Sequence, residues 1–381
     1  MPNQGSNLDF TDPESVVLPI TPLGICIGCK NTIFLFYARK IADFFELRKN
    51  FREKTKKLVA RLKYLLYLQR YTSEMRTKNV IGFLVLALLL SACATLKSYD
   101  YTVEKVSLAN QNLKRIPSYI KRCKKLRELD LQNNRIKHIP AWVASLDSLK
   151  EINLNNNRLR LTRSDIRHIA KVERLLMVNN GIEKLPSNVG KLQCKTLVLM
   201  RNKLSSLPES FGDLEQIGNV VLYENDFESI PECVGRLKTL RQIDFYKNHI
   251  KEIPEFIGGL ENIEQIYLAF NEIDRIPDTL RNLKKLKYFY IHHNNLKFLP
   301  DWIVEMDSIQ RFGVGYNQLL ELPDLSKMKS LYEFDCEHNL LDECPWSLVD
   351  KPGMEILVIR DNFFKLTLEE EFHLDTLGVI Y

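Results

Sequence analysis

From Val103 to about Leu366, apolar residues recur in one fixed order. The stretch Leu126–Val143 reads LRELDLQNNRIKHIPAWV, with apolar positions Leu126, Leu129, Leu131, Ile136, Ile139 and Val143 around a polar Asn134 and a Pro140. The same pattern returns as LRQIDFYKNHIKEIPEFI from Leu240 and as IEQIYLAFNEIDRIPDTL from Ile263. The Asn position runs Asn134, Asn157, Asn180, Asn202, Asn225, Asn248, Asn271, Asn294, Asn317, Asn339 and Asn362, with gaps of 23 residues except for two of 22. Gln111 takes that place once more upstream, which makes 12 repeats. A period of this length marks stacked coils, each burying its apolar side only against its neighbours. The alternation of apolar and polar residues before each Asn predicts a short strand with every second side chain inward. The Asn sits where the chain leaves that strand. Its amide both donates and accepts, so it can satisfy backbone groups that stacking removes from water. The eleven Asn are therefore expected to form a ladder between coils. The Pro lacks an N–H and opens the return segment on the opposite side.

This template resembles the leucine-rich repeat family in its LxxLxLxxNxLxxLPxxIxxL form. Eleven in-register copies carry the resemblance. It implies an α/β solenoid: a horseshoe of about 12 coils with a parallel β-sheet on its concave face. Some coils depart from the pattern. The third has Thr162-Arg163 where others have an apolar residue and Pro, so its return segment, Ser164–Ala170, is expected to be helical. The tenth loses a residue around Asp324–Met328. The repeats should span 103–366, with a short lead-in over 93–102 and a C-terminal cap over 367–381 that shields the last core face.

A different pattern precedes the repeats. Met75–Cys93 reads MRTKNVIGFLVLALLLSAC: Arg76 and Lys78, then 11 uninterrupted apolar residues from Val80 to Leu90, then small residues before Cys93. These are the parts of an export signal. Leu90-Ser91-Ala92-Cys93 resembles the lipobox of bacterial lipoproteins, which implies lipidation of Cys93, removal of residues 75–92 and attachment to the cell envelope, facing the outer membrane or periplasm. A membrane helix or a buried core helix over 79–96 is the alternative. An export signal belongs at an N-terminus, so residues 1–74 read either as translation upstream of a start at Met75 or as a genuine helical or disordered segment. In their favour, Ile41, Phe44, Phe45, Phe51, Leu58, Leu62, Leu65 and Leu66 form a helical apolar stripe opposite a basic face.

Charge sharpens this division. The net +6 is uneven: residues 1–74 hold 12 Lys/Arg against 7 Asp/Glu, and the remainder holds 42 against 41. A balanced array lacks the basic stripe of a nucleic-acid footprint. Cys26 and Cys29 form a CxxC without a second ligand pair, so no zinc site is expected. Cys123, Cys194, Cys336 and Cys344 occupy apolar template positions and read as core fillers, while Cys233 falls on the return segment. His292 and His293 are adjacent on a strand and should point to opposite sides, which argues against a shared metal. No nucleophile elbow, phosphate loop or paired carboxylates stand out from the repeat background, so neither enzyme activity nor a cofactor is expected.

The residues between inward positions should face a ligand. One such column runs Asp130, Asn153, Leu176, Val198, Val221, Asp244, Tyr267, Tyr290, Gly313. The next runs Gln132, Asn155, Val178, Met200, Tyr223, Tyr246, Ala269, His292, Gly315. Tyr223, Tyr246, Tyr267, Phe270, Tyr288 and Tyr290 gather in four adjacent coils on the solvent side, with His292 and Tyr316 beside them. Gly313 and Gly315 should leave space or backbone access. Rigid aromatics with a polar tip are what binding surfaces use. The expected function is non-catalytic binding of a protein or peptide, with a glycan as the other ligand that such aromatics suit. An intracellular or signal-anchored scaffold is the rival, with a cytoplasmic location. The sequence leaves the oligomeric state open.

Overall fold

The computed structural model describes residues 101–381. Cys93, the segment 75–92 and residues 1–74 lie outside the described residues. Within them the chain forms one sheet of 12 strands in strict sequence order, every pair parallel and in register. The strands run from β1 (Lys105–Ser107) through β2 (Glu128–Asp130), β6 (Asn219–Val221), β7 (Gln242–Asp244), β8 (Gln265–Tyr267), β9 (Tyr288–Tyr290) and β10 (Arg311–Gly313) to β12 (Ile356–Val358). Each is three residues long, and its central residue points inward. Val106, Leu129, Ile152, Leu175, Leu197 and Val220 are all buried at this position. In β9, β10 and β11 (Glu333–Asp335) the position holds Phe289, Phe312 and Phe334, whose ring centroids follow one another along the axis at 5.5 and 5.8 Å. One core runs the length of the array, because each coil has an apolar side only where its neighbours lie.

The return segments are mostly single turns of 3₁₀ helix. Pro117, Pro140, Pro208, Pro231, Pro254, Pro277 and Pro300 each stand immediately before one. Proline's fixed φ and missing N–H suit that entry. The third coil departs as its sequence suggests. Without the Pro it forms α1 (Arg163–His168), opened by a capping box in which Thr162 and Asp165 satisfy each other's backbone N–H. Strands pack about 4.8 Å apart, while helical segments need more room, so the strand side is the inner, concave one. Glycines narrow the outer side locally. A Cβ on Gly258 would stand 2.3 Å from the carbonyl oxygen of Thr279 in the next turn.

The last strand is covered. Helix α3 (Leu368–Leu377) follows α2 (Trp346–Val349), sends Leu374 into the core and ends at Gly378 in the left-handed conformation. The chain then returns to β12, where Ile380 bridges Val358 and Ile359 N–H donates to Ile380 O at 2.7 Å. A paired edge is protected from edge-to-edge association.

The eleven Asn side chains bind the coils together. Asn225 shows the arrangement: its Nδ2 donates to Leu199 O of the preceding coil at 3.1 Å and to Leu222 O at 3.0 Å, and its Oδ1 accepts from Leu204 N–H at 3.0 Å. The same contacts recur from Asn134 to Asn362. These are backbone groups with no water to turn to, and leaving one unpaired costs about 1–3 kcal/mol. Asn225→Ala should therefore destabilise the protein by about 3 kcal/mol or more, read by urea unfolding. Glu183→Ala, at an exposed position with ordinary backbone, should cost less than about 1 kcal/mol.

Candidate ligand-binding face

The side chains that alternate with the core residues form three columns on the strand face. A fourth column, one residue before each ladder Asn, has the most constrained backbone in the protein. It runs Asn110, Asn133, Asn156, Asn179, Arg201, Glu224, Lys247, Phe270, His293, Tyr316, His338 and Asp361, and every member has φ between 50° and 60°. None is glycine, although this region disfavours other residues. The geometry turns the chain out of the strand while its N–H still reaches the next coil: Phe270 N–H donates to His292 O at 3.0 Å, and Tyr316 N–H to Glu337 O at 2.7 Å.

The side chains of this rim then pair along the axis. Asn156 and Asn179 each donate an amide N–H to the Asn one coil earlier, at 2.8 and 2.9 Å. Glu224 takes Arg201 on one side at 2.6 Å and Lys247 on the other at 2.7 Å. Phe270, His293, Tyr316 and His338 stack face to face, with centroids 3.8, 3.9 and 4.1 Å apart. His338 closes the row on Asp361 at 3.0 Å. Burial holds His293 below the usual imidazole range, and it pushes His292 down to about 4, so both are neutral at physiological pH.

The predicted aromatic residues do come together on the strand face, but not as open platforms. Tyr223, Tyr246 and Tyr290 are all under 9% exposed. Expecting them to face solvent overlooked how rings on neighbouring coils cover one another. Tyr223 meets Tyr246 edge-on at 4.8 Å, and Tyr246 meets Phe270 at 5.0 Å and His292 at 6.2 Å. Tyr267 and Tyr290 stack at 5.5 Å with ring planes 7° apart. Ala269, set among these rings with only a methyl group, is fully buried although it faces away from the core. Phe270 remains the most open ring of the group, at 36%.

The glycines of the tenth coil do not leave a gap. A Cβ on Gly313 would stand 2.9 Å from Tyr290 Cδ1, and one on Gly315 would stand 2.9 Å from Asp335 Oδ1. Tyr290 leans into that space and its hydroxyl donates to Glu333 Oε1 at 3.1 Å. Glu333 also pairs with Arg311 at 3.2 Å. The Arg311 guanidinium lies over the rings of Tyr288 and Tyr332, 5.3 and 5.6 Å from their centroids. The patch is thus sealed at its C-terminal side by a cation between two aromatic faces.

One polar group on this face lacks a partner. Asp244, at the end of β7, is 1% exposed. Its Oδ1 accepts the Tyr246 N–H at 2.9 Å, and its Oδ2 has no hydrogen-bond partner. Asp130, at the same place in β2, makes the same turn with Gln132 N–H, but its Oδ2 takes Ser107 Oγ at 2.8 Å. Asp335, at the same place in β11, has the Arg360 charge nearby. Asp244 lies between Val221 and Tyr267 in register and meets no cation. Burial pushes its carboxyl up to about 7. Its burial was not legible in the sequence, where it reads like Asp130. The signal was in its neighbours, because only Asp244 has Tyr at both the next outward position and the next coil.

Among the described residues, no cluster of His, Cys, Asp and Glu could hold a metal. No helix there is long and apolar enough to cross a membrane. Cys123, Cys194, Cys233 and Cys336 are buried and Cys344 half-buried, all as free thiols.

Residues 102–159 match the family model described as leucine rich repeat. Together with the period, the Asn ladder and the parallel sheet, this decides the assignment. The described residues form a leucine-rich repeat array. A comparison with curated proteins finds no match. Among solved structures, the repeat array is similar to a leucine-rich repeat protein of Leptospira interrogans, at 22% identity and a TM-score of 0.63, covering 71% of this chain and 76% of that one. It is similar to an internalin, InlF, of Listeria monocytogenes at 18% identity and a TM-score of 0.60, covering 73% and 86%. It also resembles the plant peptide hormone receptor RGFR1, solved in complex with RGF2, at 22% identity and a TM-score of 0.52, covering 65% and 46%. At these identities the likeness is one of fold.

The sealed carboxyl gives the repeat array a distinctive pH response. An unfolded Asp ionises near 3.8, while the native Asp244 keeps its proton to about 7. Across that window the native state binds a proton that the unfolded chain has lost, so this residue's contribution to stability falls as pH rises. Asp244→Asn, which keeps the turn to Tyr246, should stabilise the protein by about 1–3 kcal/mol at pH 8. The gain should shrink towards zero at pH 4. Thermal unfolding of both chains at the two pH values measures it.

Proposed function

We propose that the array is a non-catalytic binding module whose concave strand face takes a protein or peptide. The observation that carries this is the in-register aromatic cluster on the sixth to ninth coils, where Tyr223, Tyr246, Tyr267, Phe270, Tyr288, Tyr290 and His292 gather away from the core. Ring packing there exceeds what strand formation requires, since the first five coils fill the same columns without an aromatic residue. Aromatic anchors held by neighbouring coils lose little freedom on binding. The complex of the similar peptide hormone receptor RGFR1 with RGF2 supports a peptide as a ligand class for a repeat array of this fold. A glycan is the second class, favoured by the partly open ring of Phe270 and the stacked row that follows it.

The module is tethered through Cys93 to the cell envelope, in keeping with the charge, apolar run and small residues of Met75–Cys93. The protein then presents the array outside the cytoplasm as a lipoprotein.

Photo-crosslinking tests the ligand face. With p-benzoylphenylalanine at position 288 on the strand face, the full-length chain should capture a partner from the envelope fraction of its native cells. The same group at position 256, on the outer turns, should not. Equal capture at both positions, or capture at 256 alone, would overturn the assignment of the face.

A further inference from the structure

We propose that Asp244 is the anchor for a cationic group of the bound partner, a Lys or Arg side chain or an N-terminal amine, which enters between the rings of Tyr246 and Tyr267. The inference rests on the concave-face function proposed above and names the chemistry of its deepest contact.

A buried carboxylate is costly unless a cation or several hydrogen-bond donors face it. Asp244 Oδ2 has neither. Elsewhere on the strand face Glu128 pairs with Lys105, Glu151 with Arg174 and Glu333 with Arg311. The strands beside β7 offer no free cation either. Tyr223 on one side and Tyr267 on the other are the titratable neighbours, and the nearby Glu224 already engages Arg201 and Lys247. The site is thus an anionic group with aromatic rings on its open side. Ring faces attract cations, most strongly where water is excluded. An anionic ligand would meet the like charge of Asp244. A purely apolar one would leave Oδ2 bare.

The rings above the carboxyl can part without breaking the fold. Tyr246 and Tyr267 project from the strand face, not into the core, so rotation of their side chains opens the path. In the absence of a ligand, a proton takes the cation's place, in line with a carboxyl raised to about 7. Partner binding should therefore release a proton and weaken as pH falls below that value.

Surface plasmon resonance on the immobilised full-length chain tests this with three peptides: acetyl-Gly-Lys-Gly-amide, acetyl-Gly-Arg-Gly-amide and the neutral acetyl-Gly-norleucine-Gly-amide. The cationic peptides should bind at least tenfold more tightly than the neutral one at pH 8. That preference should disappear in Asp244→Asn and shrink at pH 6. Asp130→Asn, which alters the same turn five coils before Asp244, should behave like the unmodified chain, and unchanged unfolding midpoints at pH 4 would confirm that both variants fold. The anchor is overturned if norleucine binds as well as lysine, if Asp244→Asn keeps the preference, if Asp130→Asn loses it equally, or if none of the peptides binds. Crosslinking from position 288 separates this from failure of the face itself. Full capture by an Asp244→Asn chain would leave the ligand face standing and remove the anchor.

Discussion

Stacking open coils creates a demand that the rest of this structure answers. Each coil ends its strand by turning, and a turn frees backbone groups that the next coil then shuts away from water. The ladder of Asn side chains meets the demand with one residue per coil, because an amide can donate and accept at once. Asn134 Nδ2 and Oδ1 already serve two coils, and Asn362 does the same near the other end. The 23-residue period, the three-residue strands and the common register all follow from keeping that amide in line. The cost is a column of residues held at positive φ, and the chain meets it without a single glycine.

Once the register is fixed, every column on the strand face becomes a row of like positions, one coil apart, and side chains in a row either pair or repel. The rim pairs in three runs, first as amides, then as ions, then as stacked rings. The inner columns pair charges or cover rings with rings. Asp244 breaks this pattern in the middle of the aromatic zone, with one oxygen satisfied and the other bare. Proteins depart from local consistency chiefly where a function requires it. The same place carries the densest aromatic packing of the face, which gives the departure a context in recognition.

The coils themselves could be read directly. Apolar spacing located the strands, the Asn and Pro located the turns, and the missing Pro at Thr162-Arg163 foretold the helix Arg163–His168. The face was legible as a set of residues but not as a surface. The column reading placed Tyr223, Tyr246 and Tyr290 away from the core, yet exposure depends on how far rings lean across neighbouring coils, which spacing does not encode. The same lean filled the space that Gly313 seemed to leave. The stacked row through His293 and Tyr316 went unread because it lies in the turn, where strand alternation no longer tells which way a side chain points.

The central claim is that the aromatic face seals a carboxyl that has no partner within the protein. Titration of the full-length chain labelled with ¹³C at aspartate carboxyls, followed by NMR and assigned with Asp244→Asn, tests it most directly. A carboxyl midpoint for Asp244 near 7 is the predicted result. A midpoint near the ordinary 3.8 would contradict it, because the group would then be reached by water or by a cation that the structure does not place there.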